Sequence, residues 1–235
     1  MGGHGHHVGR ARSEKHHLGS LLDWAAQQHP GSQVTHTWSA QDYMAVNLMP
    51  FFGKLPRGKG HVYFGTGYNK WGMTNAVAAS LGIAADILGG HVPWANTIHH
   101  RITSPSGALS AVSLNAGVAA KLASGWGQLA AEGLKTEGGK VLKKDKDQLP
   151  PAPAPVVPDE GQGQVYREGT RPVAVSTVDG TTCKLSAVCT HLGGIVHWND
   201  SERTWDCPLH GSRFSNEGEL LEGPATRNLP PAGKA

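Results

Sequence analysis

The chain lacks several features that would place it in common classes of protein. None of its 235 residues lies in an apolar run of the ~18 residues that a membrane-spanning helix needs, so we expect no membrane span. Charged residues make up only 17% of the chain, the net charge is +3, and no basic stripe indicates a nucleic-acid partner. An odd count of three cysteines argues against a secreted disulfide scaffold. The N-terminus has no signal-peptide pattern, and we therefore expect a cytoplasmic location.

A proline-rich run divides the chain into two parts with different sequence patterns. Charged residues from Lys140 lead into prolines that end at Pro158, and proline favours an extended linker over a helix or a central strand. Mixed helix and strand patterns precede this run, and short alternating segments between turns follow it. The sequence thus predicts an α+β chain with segments at 1–103, 104–158 (a helical segment and the linker) and 159–235 (a small all-β domain). The predicted helices are 18–29 and 73–88, with at least one more between 104 and 132, and the predicted strands include 61–64, 172–178 and 181–188.

The most informative motif is a pair of short loops that each offer one thiol and one imidazole. Cys189-Thr190-His191 is followed, after fifteen residues, by Cys207-Pro208-Leu209-His210. A Cys2His2 zinc finger keeps its cysteines in one pair and its histidines in another. The mixed pairing instead suits a centre in which one iron takes both sulfurs and the other takes both imidazoles. A single zinc ion on the same four ligands is the alternative. Cys183 and His197 match neither motif and are interpreted as ordinary strand residues.

Together with the glycines that follow each histidine, these motifs resemble a Rieske [2Fe–2S] domain over about residues 164–231. The resemblance implies four iron ligands, which are Cys189, His191, Cys207 and His210. It also implies that Ser212 donates a hydrogen bond to a bridging sulfide, and that Gly223-Pro224-Ala225 covers the cluster.

This sequence departs from the respiratory type of Rieske domain at three positions. Gly194 and Leu209 occupy the places of two further cysteines that form a disulfide in that type, and Phe214 occupies the place of a tyrosine. Hydrogen bonds to sulfur stabilise the reduced cluster, so a missing hydroxyl lowers the potential. We therefore expect a potential below the upper end of the Rieske range of roughly −150 to +300 mV.

The N-terminal half shows a second resemblance. Val62-Tyr63-Phe64 leads through a glycine loop to a helix, whose N-terminus offers free N–H groups and the positive end of its dipole. With residues 38–43 and 65–75, this unit resembles the C-terminal part of FAD-dependent amine or amino-acid oxidoreductases of the D-amino-acid-oxidase type, some of which carry a C-terminal Rieske domain. The resemblance implies five residues near the flavin, which are Gly67, Asn69, Trp71, Gly72 and Met73. Residues 2–9 resemble an internal stretch of the same family, and an added histidine cluster is the alternative.

The glycine fingerprint that holds the FAD pyrophosphate in that family is missing here, so the implied FAD site is incomplete. We interpret 1–103 as an incomplete α/β flavoprotein fragment with unpaired strand edges and exposed apolar surface. The expected electron donor is a flavoprotein chain or the missing FAD-binding half, and the sequence identifies no acceptor.

The predicted function is electron transfer through a Rieske cluster, as part of an FAD-dependent oxidoreductase that acts on an amine or amino acid. No catalytic residue is predicted, and turnover by this chain alone is not expected. The alternatives are a zinc-binding or non-redox structural module that partners a flavoprotein, and a Rieske ferredoxin of an oxygenase system.

Overall fold

A computed structural model describes residues 2–101, 105–132 and 157–233. Packing divides the chain into two compact units, of which the first is Met1–Ser39 with Gly117–Ala235 and the second is Ala40–Ala116. The first unit thus joins the N-terminal residues to the predicted all-β domain, whereas the sequence pattern divides the chain at 103 and 158. The predicted linker lies outside the described residues except for its last two positions. No helix in the described ranges is long and apolar enough to cross a bilayer.

The first unit contains two antiparallel sheets. The three-stranded sheet has the order β3–β4–β5, and the four-stranded sheet has the order β6–β7–β8–β9. Their bounds are β3 (Gln162–Glu168), β4 (Arg171–Val178), β5 (Thr181–Ser186), β6 (His197–Asn199), β7 (Thr204–Asp206), β8 (Arg213–Ser215) and β9 (Leu220–Glu222). The predicted strands 172–178 and 181–188 correspond to β4 and β5, although β5 ends at Ser186. It ends early because the chain turns there toward the first cysteine, and Val188 bridges Ile195 instead.

The core of the first unit is one cluster of buried side chains from both sheets and from the loops that follow them. Trp205 and Phe214 are fully buried at its centre, and the two cysteines of the sequence motif belong to the same cluster. Helix α4 (Pro105–Glu132) contributes from residue 118 onward: Leu129 is buried, and Val118 and Leu122 pack against the cluster. The helix thereby extends the core of a β domain that is small by itself.

Helix α1 (Glu14–Gln28) also belongs to the first unit, and it begins four residues before its predicted start. The Ser13 side chain caps it by accepting a hydrogen bond from the backbone of His16. Asp200, in the turn between β6 and β7, accepts hydrogen bonds from the backbone N–H groups of Glu14 (2.8 Å) and Lys15 (3.1 Å). A carboxylate from the β domain thus satisfies two of the four free N–H groups with which the helix begins.

The second unit contains a two-stranded antiparallel sheet and two helices, together with the first part of α4. Strands β1 (Phe51–Lys54) and β2 (Tyr63–Thr66) pair, and helices α2 (Gly72–Ile87) and α3 (Pro93–His99) follow. The predicted strand 61–64 and helix 73–88 therefore correspond to β2 and α2 with small shifts. Phe52, Ala79 and Ala95 form its small core. These elements do not by themselves identify a flavoprotein fragment, which stays a prediction.

Candidate metal centre

Two ligand loops, 189–194 and 207–212, share one backbone design. In the first, the Cys189 N–H donates to Gly194 O (2.8 Å) and the Gly193 N–H donates to Cys189 O (3.0 Å). In the second, the same bonds join Cys207 to the carbonyl of Ser212 (2.8 Å) and Gly211 to that of Cys207 (3.0 Å). Gly193 and Gly211 have φ values of 71° and 82°, a conformation that favours glycine. The sequence therefore closes both loops in the same way, with each histidine two or three residues after its cysteine.

The loops place the two kinds of ligand at different depths. Cys189 and Cys207 are each 2% exposed, whereas His191 is exposed and His210 is half-buried. The two imidazole rings lie 5.0 Å apart between centroids and are nearly perpendicular. The two sulfurs thus lie inside the first unit, and the two imidazoles lie next to each other nearer to solvent.

The two thiols form an electrostatically coupled pair. Their mutual hydrogen bond is the largest influence, and it lowers the pKa of Cys189 to about 6 while it raises the pKa of Cys207. Backbone N–H groups of His191, Leu209 and His210 also donate to these sulfurs and favour the thiolate form. The site is therefore built to hold negative charge on sulfur.

The donor set fits a two-iron cluster. Nδ1 of His210 is buried without a hydrogen-bond partner, as expected for a nitrogen that ligates a metal. Burial, followed by the neighbouring His191, lowers the pKa of His210 and keeps the imidazole in its neutral, ligating form. Within the ranges that the structure describes, no three His, Cys, Asp or Glu side chains are gathered so as to hold one metal ion. Two cysteines and two histidines suit the two irons of a mixed-ligand cluster, and zinc on the same four side chains stays the alternative.

Ser212 lies next to the sulfur of Cys189. Its side chain is fully buried, interacts with the sulfur of Cys189, and accepts a hydrogen bond from the backbone N–H of Ala225 (2.9 Å). Residues 223–225, which sequence resemblance assigns to a covering loop, are thus tied to the second ligand loop through Ser212. Phe214 is fully buried and offers no hydroxyl to the site.

The positions of the additional disulfide seen in respiratory-type domains face each other here. A Cβ at Gly194 would lie 2.7 Å from Cγ of Leu209 and 3.1 Å from Sγ of Cys207. Close packing of a glycine against a leucine therefore joins the two ligand loops where a covalent bond joins them in the other type.

A buried ion pair brackets the second ligand loop, and sequence reasoning did not find it. Arg213 donates from Nε to Oδ1 of Asp206 and from Nη2 to Oδ2, both at 2.9 Å. Asn199 and Thr204 donate to the same carboxylate at 3.0 and 3.1 Å. Asp206 precedes the loop and Arg213 follows it, so the pair closes the loop at its base. The only hint in the sequence was that Asp206 and Arg213 flank the motif. Their contact depends on the pairing of β7 with β8, which the sequence pattern does not show.

The five predicted flavin-proximal residues lie together in the second unit, around the start of α2. Gly67 has a φ of 73° and packs against Ala45, while Trp71 and Met73 are 66% and 90% exposed. A cavity of about 290 Å³ elsewhere in this unit is lined by residues of β1, α2 and α3, among them Lys54, Asp86 and His99. The predicted flavin-proximal residues do not line it.

Comparison with known proteins agrees with this geometry. Residues 151–232 match the family model of the Rieske [2Fe-2S] domain. YhfW of Bacillus subtilis (strain 168), classed as a Rieske 2Fe-2S iron-sulfur protein, is 32% identical over 230 residues, which cover 95% of this chain and 40% of that protein. The cytochrome b6-f complex iron-sulfur subunit of Chlorobaculum tepidum is 36% identical over 78 residues, 33% of this chain and 42% of that subunit. The chain thus spans less than half the length of both relatives.

Among solved structures, the plasma-membrane Rieske protein PetC3 of Synechocystis PCC 6803 matches 29% of this chain and 72% of its own. The two chains are 32% identical over the matched part, and the TM-score is 0.28. The family match and the sequence relatives define the class of the domain. The chain contains a Rieske [2Fe–2S] domain at residues 151–232.

Proposed function

We propose that this chain transfers electrons through a [2Fe–2S] cluster as part of an FAD-dependent oxidoreductase that acts on an amine or amino acid. The observation that carries the proposal is the matched pair of ligand loops, with two buried thiols and two outward imidazoles. When bound, such a cluster accepts and releases one electron at a time. Cys189 and Cys207 would hold the inner iron, and His191 and His210 the outer one.

The other residues of the site have supporting roles in this proposal. Backbone N–H groups and Ser212 stabilise negative charge on sulfur, and the buried surroundings of the cysteines exclude water. The exposed edge of His191 is the natural point at which a redox partner approaches. No proton transfer or bond cleavage is assigned to any side chain of the described residues.

The flavoprotein context is supported by the sequence resemblance of residues 38–43 and 65–75 to FAD-dependent amine or amino-acid oxidoreductases. The alignment with YhfW covers 95% of this chain, so a relative classed as a Rieske iron-sulfur protein shares both packing units. At the start of α2 in the second unit, Trp71 and Met73 are 66% and 90% exposed, which suits a surface that a flavin or further protein covers. Gly67, Asn69, Trp71, Gly72 and Met73 would contact the flavin, and the FAD-binding half would supply the electrons. A cytoplasmic location belongs to the same proposal and is supported by the low cysteine count.

The first test is spectroscopy on the purified chain after reconstitution with iron and sulfide. We expect visible absorption from the oxidised cluster and, after dithionite reduction, an EPR signal with an average g below the free-electron value. Cys207→Ser should abolish both signals, and Cys183→Ser is the matched control because Cys183 is the remaining thiol and lies in β5, outside both loops. Stoichiometric zinc without iron or acid-labile sulfide would instead support the non-redox alternative.

A second test addresses the flavin. FAD is titrated into the chain and into its Trp71→Ala variant while flavin fluorescence is followed. Quenching that is weaker in the variant would support the assignment of the α2 start to the flavin. Identical curves for the two proteins would remove that assignment and leave electron transfer by the Rieske domain intact.

A further inference from the structure

A segment far away in sequence, residues 9–14, lies against the second ligand loop within the first unit. Gly9 is buried, its φ is 62°, and a Cβ there would lie 2.8 Å from Asp206 O and 3.0 Å from Pro208 N. No side chain fits at this position, so the glycine lets the two backbones approach closely.

The next residue, Arg10, contacts the loop directly. Its Nε donates to the carbonyl of Pro208 at 2.9 Å, across 198 positions of sequence. Pro208 lies between the ligands Cys207 and His210 and has no N–H, so this carbonyl is its whole capacity for backbone hydrogen bonding. Among the described residues, no carboxylate forms an ion pair with Arg10. Within the described part of the chain, its charge therefore acts on the loop without a direct counter-ion.

The far end of the segment is fastened as well. Ser13 donates from Oγ to Oδ2 of Asp200 at 2.7 Å, and the Glu14 N–H donates to Oδ1 of the same carboxylate at 2.8 Å. Asp200 lies in the turn that joins β6 to β7, and β7 leads into the second ligand loop. Arg10 is thus held between two attachments, and little entropy is lost in keeping it against Pro208.

The net charge of the cluster determines in which direction Arg10 shifts its reduction potential. Two ferric ions, two sulfides and two thiolates sum to zero when the imidazoles are neutral, and one added electron makes the sum negative. A fixed cation beside the loop stabilises the reduced form more than the oxidised form. We propose that Arg10 is a positioning residue that holds the second ligand loop and raises the reduction potential of the cluster.

This inference rests on the proposed function, because it needs a loaded cluster. The test is redox titration of Arg10→Gln, with Arg12→Gln as the control because Arg12 is a nearby exposed cation of the same chain segment. At a fixed potential we expect the ratio of reduced to oxidised cluster to fall about fivefold in Arg10→Gln, or about 40 mV at 59 mV per tenfold change for one electron. Arg12→Gln should change it less than twofold. Arg10→Lys keeps the positive charge and should therefore keep the potential near that of the unaltered protein. If Arg10 acted only through its structural contact, its replacement by lysine would shift the potential as glutamine does.

Gly9→Ala keeps the test decisive if the glutamine variant does not retain iron. Its methyl group would displace the segment from Asp206 and Pro208 without any change of charge, and we expect a fall of the potential in the same direction. An unaltered potential in every loaded variant would overturn the inference while leaving the proposed function standing. An unaltered chain that holds no cluster at all would instead overturn the proposed function.

Discussion

The ion pair at the base of the second ligand loop gives the sharpest stability prediction. The side chains of Arg213 and Asp206 are only 11% and 2% exposed, and two nitrogen–oxygen contacts of 2.9 Å join them. Asp206→Asn keeps the volume but removes the charge, and it turns an N–H donor toward the guanidinium. A buried cation that loses its partner costs about 3–5 kcal/mol of unfolding free energy. We expect a loss of that size in Asp206→Asn.

The assay is urea unfolding followed by tryptophan fluorescence, to which the buried Trp205 of the same unit contributes. Asp179→Asn is the matched control, because Asp179 forms an exposed ion pair with Arg203 at 3.4 Å and its side chain is 88% exposed. Surface pairs contribute at most about 1 kcal/mol, so the control should be nearly neutral. The reasoning would be refuted if the two substitutions changed the unfolding free energy by similar amounts.

Three further substitutions test other parts of the first unit. Burial raises the pKa of Glu14 from 4.5 to about 6, so the folded state loses stability as pH rises through that window. Above pH 6, Glu14→Gln should therefore unfold with a free energy about 1 kcal/mol higher than that of the unaltered protein, after allowance for solvent screening. Below pH 4.5 the two proteins should be equally stable. Thermal melting curves that coincide above pH 6 as well would contradict this. Ser212→Ala should lower the reduction potential of the cluster, because a hydroxyl beside the sulfur is lost. It should also lower the free energy of unfolding by about 1–3 kcal/mol, because the Ala225 N–H loses its acceptor. A redox titration with no shift would count against the role of Ser212. Trp126→Phe removes the hydrogen bond from the indole to Gly193 O (3.0 Å). We expect the free energy of unfolding to fall by about 1 kcal/mol. We also expect the variant to lose iron to a chelator faster than the unaltered protein does. Unchanged chelation kinetics would show that this contact does not protect the first ligand loop.

The proposed iron ligands could be predicted from the sequence because each cysteine and its histidine lie within a few residues of each other. A cysteine and a histidine within three positions, followed by glycine, dictate a short loop whatever surrounds it. The structure closes both loops with the same two backbone hydrogen bonds. Strands β4 and β5 were predictable for the same reason, since Asp179 and Gly180 take the positive φ values of a tight hairpin turn.

The supports of those loops were not predictable in this way. Arg10 and Pro208 are 198 positions apart, and the roles of Asp206 and Arg213 depend on the pairing of β7 with β8. No local pattern marks an arginine as the partner of a distant carbonyl, because the contact exists only after two remote segments have packed. The same holds for Asp200, whose carboxylate begins α1 from another part of the chain.

By itself, then, the sequence predicted the four side chains that we propose as iron ligands and how each loop turns. The tertiary structure alone decided what holds the loops together. It buried the two sulfurs, set the imidazoles side by side, and brought the N-terminal segment to the second ligand loop. The physical reason is that a turn depends on neighbouring backbone angles, whereas burial and charge at a site depend on every element that packs around it.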